Sequence, residues 1–266
     1  MGTNPKVLAN SKNIFTSPEQ SQLRNLSNMG SLTNGRIPSV DHKQTELFLR
    51  EFKGFRVMPW IGGVLNKQVF PNDPKWRRNF LDSILDLLQT HPKFQGIHIN
   101  IEPWPSGNQS LLTLLKEIRK ALPQDKVLSV AAFLPPTFWQ PFKETHWDAA
   151  YFREIAKNVD QMVVMMYDTS FKYKKFYQQL MKSWTREILD WSKGAIVLLG
   201  VPSYKDEDVG YHNPGVENLS DALSGIHAGL NRYREIPSNY QGISLYCEWE
   251  MDELEWQYLR KHFLKP

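Results

Sequence analysis

Cysteine is almost absent from this chain, and several other features that would fix a functional class are missing too. The single cysteine, Cys247, excludes an internal disulfide framework and any cysteine-based zinc cluster. No run approaches the ~18 consecutive apolar residues that span a bilayer, so we predict no transmembrane segment. The chain has neither a G-x-G-x-x-G sequence nor a P-loop, the usual glycine-rich cradles for nucleotide phosphates.

Excess charge of one sign is also lacking. The chain has 32 Lys and Arg against 28 Asp and Glu, a formal net charge of +4. Its basic residues form no dense run, so we do not expect nucleic acid as a partner. The N-terminus lacks the apolar centre of a signal peptide, and export would require that such a segment has been removed. The sequence therefore indicates neither compartment nor oligomeric state.

The composition of the 266 residues permits a substantial core. Hydrophobic residues make up 41% and charged residues 23%, which excludes wholesale disorder. The aromatic content of 12% suits carbohydrate binding and suits an ordinary core equally well. The first 40 residues are rich in Asn and Ser and have no clear apolar period. We therefore predict a poorly patterned N-terminal segment over residues 1–41 and a single domain over residues 42–266.

From residue 41 onward, short apolar runs alternate with longer segments of helical period. One helix between successive strands indicates βα units and parallel pairing. The predicted strands are 55–60, 96–102, 127–133, 161–167, 195–201 and 242–248. The predicted helices are 42–53, 74–90, 108–122, 148–158, 173–192, 219–234 and 252–263.

Six βα units are compatible with an open doubly wound sheet or with a TIM-type (β/α)8 barrel of typically ~250 residues. The missing glycine-rich phosphate loop favours the barrel. Its first two strands would have to come from a region with the wrong composition for buried parallel strands, which normally read as apolar runs. We therefore expect a barrel that is incomplete or irregular at strands 1 and 2, with at most one short strand before Lys43.

The strand predicted at residues 96–102 carries the most informative pattern. Side chains alternate across a strand, so three isoleucines share one face while His98, Asn100 and Glu102 share the other. In a barrel, the polar row would point inward and Glu102 would lie at the carboxyl-terminal rim, where active sites are found. An antiparallel strand with one wet face would give the same alternation, but predicted helices on both sides disfavour it.

At this point the sequence resembles glycoside hydrolase family 18, the chitinase-like barrels. The fourth-strand signature of that family reads Asp-Gly-x-Asp-x-Asp-x-Glu in typical members. The matching positions here are Gln95, Gly96, His98, Asn100 and Glu102. All three aspartates are therefore replaced, and only the glutamate is kept. The chain is identified as a divergent member of the family.

Further segments carry the resemblance in the order that the family requires. Residues 60–63, Trp-Ile-Gly-Gly, are similar to the family's Ser-x-Gly-Gly, and residues 165–168 match its Met-x-Tyr-Asp. Residues 200–204 are similar to its Gly-x-Pro-x-Tyr. In the last strand, Tyr246 stands where the family usually has a tryptophan, with Trp249 nearby. The resemblance covers roughly residues 54–263.

The resemblance implies hydrolysis of an N-acetylhexosamine glycan by substrate-assisted retention. In this mechanism the substrate's own acetamido group attacks the anomeric carbon. Glu102 would be the general acid/base, and the neighbouring Trp60 and Trp104 would raise its pKa. Asn100 would accept the acetamido N–H without supplying an aspartate's charge, which predicts weaker activity. Tyr167 would donate to the acetamido oxygen, and Asp168 would be a second carboxylate.

The remaining predicted site residues are expected to contact the glycan, an oligosaccharide or a polysaccharide. Tryptophans at strand ends can stack on sugar faces. We read His98 as a structural histidine, and no spaced set of His, Asp and Glu indicates a metal, so no metal or cofactor is expected. The predicted substrate-binding residues are Trp60, Trp104, Tyr204, Tyr246, Glu248 and Trp249.

Two other functions fit the same residues. A two-carboxylate retaining glycosidase would pair Glu102 with Glu248 or Glu250, about 5 Å apart. Alternatively, the loss of three aspartates would suit a barrel that binds carbohydrate with little or no turnover, since a fold does not determine an activity. Enzymatic activity, most simply as a glycosidase, is therefore an expectation to be tested.

Overall fold

A computed structural model describes residues 32–205 and 211–264. A 3-10 turn at Leu32–Asn34 comes first, and α-helices and strands then alternate along the described chain, with a second 3-10 turn at Glu248–Glu250 before the last helix. The helices are α1 His42–Glu51, α2 Pro74–Thr90, α3 Gln109–Ala121, α4 Ala149–Ala156, α5 Lys174–Trp191, α6 Leu219–Leu230 and α7 Glu253–His262. The strands are β1 Trp60–Val64, β2 Gly96–Glu102, β3 Val127–Ala132, β4 Gln161–Met165, β5 Ile196–Pro202 and β6 Tyr240–Tyr246.

The predicted α/β alternation is confirmed, and the described residues fall into two compact units that divide after Met162. In the first unit, β1, β2 and β3 are parallel neighbours in chain order, with Trp60 beside His98 and Gly96 beside Val127. In the second unit, β5 and β6 are parallel neighbours, with Val201 beside Leu245. Parallel neighbours in chain order are what βα units produce.

Strand β1 lies later in the chain than predicted. The sequence indicated residues 55–60, whereas the paired strand begins at Trp60. The residues before it already run beside β2, since the carbonyl oxygens of Val57 and Pro59 accept from the N–H groups of Gln95 and His98 at 3.0 and 2.9 Å. Pro59 has no N–H to donate, so a regular ladder cannot run through it.

No strand precedes β1 among the described residues, which hold only the 3-10 turn and α1 there. Residues 1–31, on which the prediction of at most one short strand partly falls, lie outside the described residues. The division into residues 1–41 and 42–266 stays a prediction. Among the described helices, none has the length and apolar character needed to cross a bilayer.

The helices begin where the sequence supplies capping side chains. The Asp73 carboxylate accepts from the N–H of Lys75 at the start of α2, with Pro74 in the first turn. Asn108 and Asp148 cap α3 and α4 in the same way. The apolar stripe of α2 is buried, and each such side chain contributes about 1.5–3 kcal/mol through its removal from water. Its members are Phe80, Ile84, Leu87 and Leu88.

Glycines let α5 and α6 pack closely in the second unit. A Cβ atom added at Gly225 would lie 2.6 Å from the carbonyl oxygen of Gln178 on α5. One added at Gly229 would lie 2.8 Å from the carbonyl oxygen of Lys182. These are backbone atoms, which a side-chain rotation cannot move away. The close spacing of the two helices therefore depends on glycine, which has no side chain, at positions 225 and 229.

We predict that Gly225→Ala lowers the free energy of unfolding by about 1–3 kcal/mol, the usual cost of overpacking. In an uncrowded helix the same change would stabilise by up to about 1 kcal/mol, so the sign distinguishes the two cases. Equilibrium urea unfolding measures the change. Ser224→Ala, on the exposed side of α6, is the matched control and should change stability by less than about 0.5 kcal/mol. Stabilisation by Gly225→Ala would contradict the close packing.

A chain of polar side chains crosses three strands on the face of β2 opposite its isoleucines. His98 Nδ1 lies 2.8 Å from Ser129 Oγ on β3, and that hydroxyl donates to Gln161 Oε1 at 2.8 Å. Because the serine hydrogen points to Gln161, the His98 ring donates through Nδ1. Burial lowers the pKa of His98 to about 4. His98 is therefore neutral and structural, as the sequence indicated.

The depressed pKa of His98 predicts a loss of stability in mild acid. In the unfolded chain this histidine takes up a proton near its ordinary value of 6.5, whereas the folded protein resists protonation down to about 4. The free energy of unfolding contributed by His98 is thus present above pH 6.5 and falls as the pH is lowered through this window.

His98→Asn keeps a donor for Ser129 but has no group that titrates in this window. As the pH falls from neutral to about 4, we expect the free energy of unfolding to decrease by up to about 3 kcal/mol less in this variant than in the wild type. Urea unfolding at several pH values measures the difference. Equal pH dependence in the two proteins would contradict a neutral buried His98.

Candidate active site

The polar face of β2 is arranged as the alternation predicted. Ile97, Ile99 and Ile101 are buried, whereas the side chains on the other face become progressively more open toward the end of the strand. His98 and Asn100 are half-buried, and Glu102 is exposed. Both β2 and β6 are followed by cis peptide bonds, at 102–103 and 246–247. Glu102 is thus an accessible carboxylate at the carboxyl end of a buried parallel strand.

Asn100 carries an unused acceptor. Its side-chain Oδ1 atom is buried and has no hydrogen-bond partner among the described residues. A buried polar atom without a partner costs roughly 1–3 kcal/mol, so such atoms call for an explanation at the site where they occur. The amide lies two residues before Glu102 on the same face of the strand. A rotation of the half-buried amide would present this acceptor to a ligand that reaches the carboxylate.

Trp60 lies on the neighbouring strand, β1, on the same face of the sheet as the polar side chains of β2. Trp60 is paired with His98, and Gly62 with Asn100, so their side-chain positions share one face of the sheet. The indole of Trp60 lies over Gly62, where an added Cβ atom would come within 2.6 Å of the ring. Glycine at position 62 therefore leaves the space that the half-buried indole of Trp60 occupies.

Trp104 is a core residue rather than a surface for sugar stacking. It is only 1% exposed, and its indole N–H donates to the Tyr151 hydroxyl at 2.7 Å. Its carbonyl oxygen accepts from the indole of Trp147, whose ring packs edge-on against it at 5.5 Å. This packing corrects the expectation that Trp104 contacts the glycan, because no face of its ring is accessible.

In the second unit, the predicted residues from three strand ends form one aromatic cluster. Tyr167, which follows β4, stacks on Tyr246 with ring centres 5.2 Å apart and planes 10° from parallel. Tyr204 packs edge-on against Tyr246 at 5.4 Å, and Trp249 does so at 6.3 Å. Tyr246 is 40% exposed. The cluster therefore presents an aromatic surface next to the Tyr167 hydroxyl.

Tyr204 lies beneath that surface. It is 5% exposed, and its hydroxyl donates a hydrogen bond to the Asp168 carboxylate. It therefore holds another site residue in place instead of contacting the glycan as expected. Burial raises the pKa of Asp168, with a further contribution from the charge of Glu217, and outweighs the opposing effects of the Tyr204 hydroxyl and His212. Asp168 has a φ of 59°, the left-handed region that aspartate tolerates better than most residues.

Two further residues beside Asp168 were not predicted from the sequence. His212 and Glu217, in the connection between β5 and α6, have fully buried side chains. Burial lowers the pKa of His212, but the contacts with Glu217, the Tyr204 carbonyl and Asp168 outweigh it, so the pKa is raised overall. Asp168, His212 and Glu217 are the described residues whose atoms are spaced to hold a metal ion. The prediction that no metal is bound stays a prediction, and sequence spacing did not bring these three residues together because they come from separate loops.

The two glutamates after β6 have distinct surroundings. Glu248 is 8% exposed. Glu250 is half-buried, and its carboxylate accepts from the Lys205 N–H at 3.1 Å and from the Cys247 thiol at 3.4 Å. Glu248 is thus buried and Glu250 half-buried, in contrast to the exposed Glu102.

Comparison with known proteins gives one family and many similar folds. The model of Glycosyl hydrolases family 18 matches residues 14–262. No curated protein sequence matches the chain. A chitinase from Chromobacterium violaceum is 12% identical with a TM-score of 0.62, over 95% of this chain and 97% of that one. A class V chitinase from Pseudomonas fluorescens is 15% identical with a TM-score of 0.61, over 93% and 95%. The Bacillus cereus spore cortex-lytic enzyme SleL is 13% identical with a TM-score of 0.58, over 88% and 66%.

At these identities the solved structures establish the fold alone, and they confirm the predicted TIM-type α/β barrel. The family model spans nearly the whole chain, including every strand described above. The protein therefore belongs to glycoside hydrolase family 18.

Proposed function

We propose that the protein hydrolyses an N-acetylhexosamine-containing glycan by substrate-assisted retention, with Glu102 as general acid/base. The observation that carries this proposal is the unpaired Oδ1 atom of Asn100, on the same face of β2 as the exposed Glu102. An acetamido N–H of the substrate is a donor of the right kind for that atom. Family membership supports the reaction class.

The reaction proceeds in two steps. Glu102 donates its proton to the glycosidic oxygen while the substrate's acetamido carbonyl oxygen bonds to the anomeric carbon, and the bond to the leaving sugar breaks. The resulting oxazolinium carries a positive charge. Water then attacks the anomeric carbon, its proton goes to the Glu102 carboxylate, and the carbon–oxygen bond to the acetamido group breaks. The anomeric configuration is retained because the carbon is inverted twice.

Other residues orient the acetamido group. Asn100 is proposed to accept its N–H. Family membership alone is the ground on which Tyr167 is proposed as donor to the acetamido oxygen and Asp168 as a second carboxylate. Trp60, Tyr246 and Trp249, each at least partly exposed, are proposed to contact the sugar rings. Chitin and peptidoglycan both contain N-acetylhexosamine, and the similar solved proteins include chitinases and a spore cortex-lytic enzyme. These are the polymers to test.

We predict that Glu102→Gln lowers kcat/KM on N-acetylglucosamine oligomers by about 10²–10⁴-fold, the usual contribution of a general acid/base. Substrate affinity should change little, because the glutamine is nearly isosteric. Glu144→Gln, an exposed loop position, is the matched control and should keep wild-type activity. Full activity in Glu102→Gln would overturn the assignment.

The same assay separates the two alternatives. Loss of activity in Glu248→Gln or Glu250→Gln, together with turnover of sugars that lack the N-acetyl group, would indicate a two-carboxylate glycosidase. Saturable binding of oligomers without turnover, in the wild type and in Glu102→Gln alike, would indicate a carbohydrate-binding barrel.

We predict that Asn100→Asp raises kcat by about tenfold or more, since a carboxylate would stabilise the positive oxazolinium that the neutral amide does not. The measurement is the turnover of N-acetylglucosamine oligomers under saturating substrate. Asn100→Ala is the companion variant and should lose activity, because it removes the acceptor as well. A folded Asn100→Asp protein with unchanged or lower kcat would contradict the role assigned to this position.

A further inference from the structure

Three polar side chains of the second unit converge beneath the aromatic cluster. His212 Nδ1 lies 3.7 Å from Asp168 Oδ1 and 3.5 Å from Glu217 Oε2. One ligand atom from each residue lies within 4.8 Å of the others. The side chains of His212 and Glu217 are 0% exposed, whereas that of Asp168 is 37% exposed. Two of the three side chains are therefore buried, and solvent reaches the third, Asp168.

The hydrogen bonding of His212 fixes which ring nitrogen faces the carboxylates. Nε2 lies 3.1 Å from the carbonyl oxygen of Tyr204, and a carbonyl only accepts, so Nε2 carries a hydrogen. Nδ1 is buried and has no hydrogen-bond partner among the described residues. In the neutral ring its lone pair points toward two carboxylates. Such an arrangement requires positive charge between the three atoms, from a proton or from a metal ion.

The distances favour a metal ion. An imidazolium that donates to a carboxylate brings nitrogen and oxygen to about 2.7–2.9 Å, and both contacts here are clearly longer. Zinc bonds of about 2.0–2.2 Å in tetrahedral geometry place neighbouring ligand atoms about 3.3–3.6 Å apart. The two distances from His212 Nδ1, 3.5 and 3.7 Å, are close to that spacing, and the two carboxylate atoms lie within 4.8 Å of each other.

The surroundings hold the three donors in place. The Tyr204 carbonyl orients His212, and the Tyr204 ring stacks on the imidazole with centres 3.8 Å apart. Glu217 accepts from the Thr169 hydroxyl at 2.7 Å and from the Thr169 N–H at 3.1 and 3.2 Å. Asp168 accepts from the Tyr204 hydroxyl. Metal-binding histidines and carboxylates typically have such outer partners, which set their orientation.

We propose that Asp168, His212 and Glu217 form a binding site for a divalent transition-metal ion, with zinc as the best fit. One imidazole and two carboxylates suit zinc, whereas Ca²⁺ and Mg²⁺ prefer all-oxygen sites with six or more ligands. Because the Asp168 side chain is 37% exposed, water is the expected fourth ligand. This site goes beyond the proposed glycosidase activity, with which it shares Asp168, and its test measures metal binding and not turnover.

The test uses the full chain, stripped of metal by a chelator and titrated with Zn²⁺ by calorimetry and thermal unfolding. We expect one zinc ion per chain and a rise in Tm of about 5–10 °C at a zinc concentration near 100 times the Kd. Ca²⁺ and Mg²⁺ should produce no comparable shift. Absence of saturable zinc binding would overturn the proposal, and so would an equal response to all three ions.

Three variants locate the binding. His212→Gln and Glu217→Gln should lose the zinc-dependent shift. Asp168→Asn changes the most accessible ligand without altering its size, so it tests the site even if the buried variants fail to fold, and it should weaken zinc binding at least tenfold. His146→Gln, a buried histidine of the other unit, is the control and should keep the wild-type affinity. Unchanged zinc affinity in Asp168→Asn would overturn the site.

Discussion

Alternation of side chains along β2 is the constraint on which the rest of the molecule depends. A strand within a parallel sheet must bury both of its faces, and successive residues point to opposite ones. In β2 the isoleucines occupy one face and contribute to the core, while the other receives His98, Asn100 and Glu102. Every second residue of the strand therefore packs in the core, and the residues between them are polar.

Polar groups inside a protein require hydrogen-bond partners. Along β2, the polar side chains meet this requirement in different ways, according to how near they lie to the end of the strand. His98 is satisfied within the protein by Ser129, which in turn donates to Gln161. Asn100, nearer the end of the strand, retains an unused acceptor, and Glu102 reaches solvent. The same strand thus changes from structural to available polar groups along its length, because only the strand end is open to a ligand.

Aromatic residues that look equivalent in the sequence differ in how far the fold buries them. The sequence placed Trp60 and Trp104 at the ends of predicted strands, yet Trp60 begins β1 and lies half-exposed over Gly62, whereas Trp104 is enclosed by Tyr151 and Trp147. Tyr204 and Tyr246 were both predicted from family motifs to contact the glycan. Tyr204 is buried against Asp168 and His212, whereas Tyr246 remains exposed. Residue type and position in a motif do not reveal which side of a ring is covered, since the covering groups come from distant segments.

The sequence by itself determined the order of strands and helices, the exact extent of β2 and the carboxylate at its end. These follow from local causes: side-chain period, capping residues, and prolines that cannot continue a ladder. Only the tertiary structure decided that His212 and Glu217 meet Asp168, and that Trp104 belongs to the core. Such contacts join residues far apart in the chain, and no local pattern records them because they exist only once the strands and loops have been brought together.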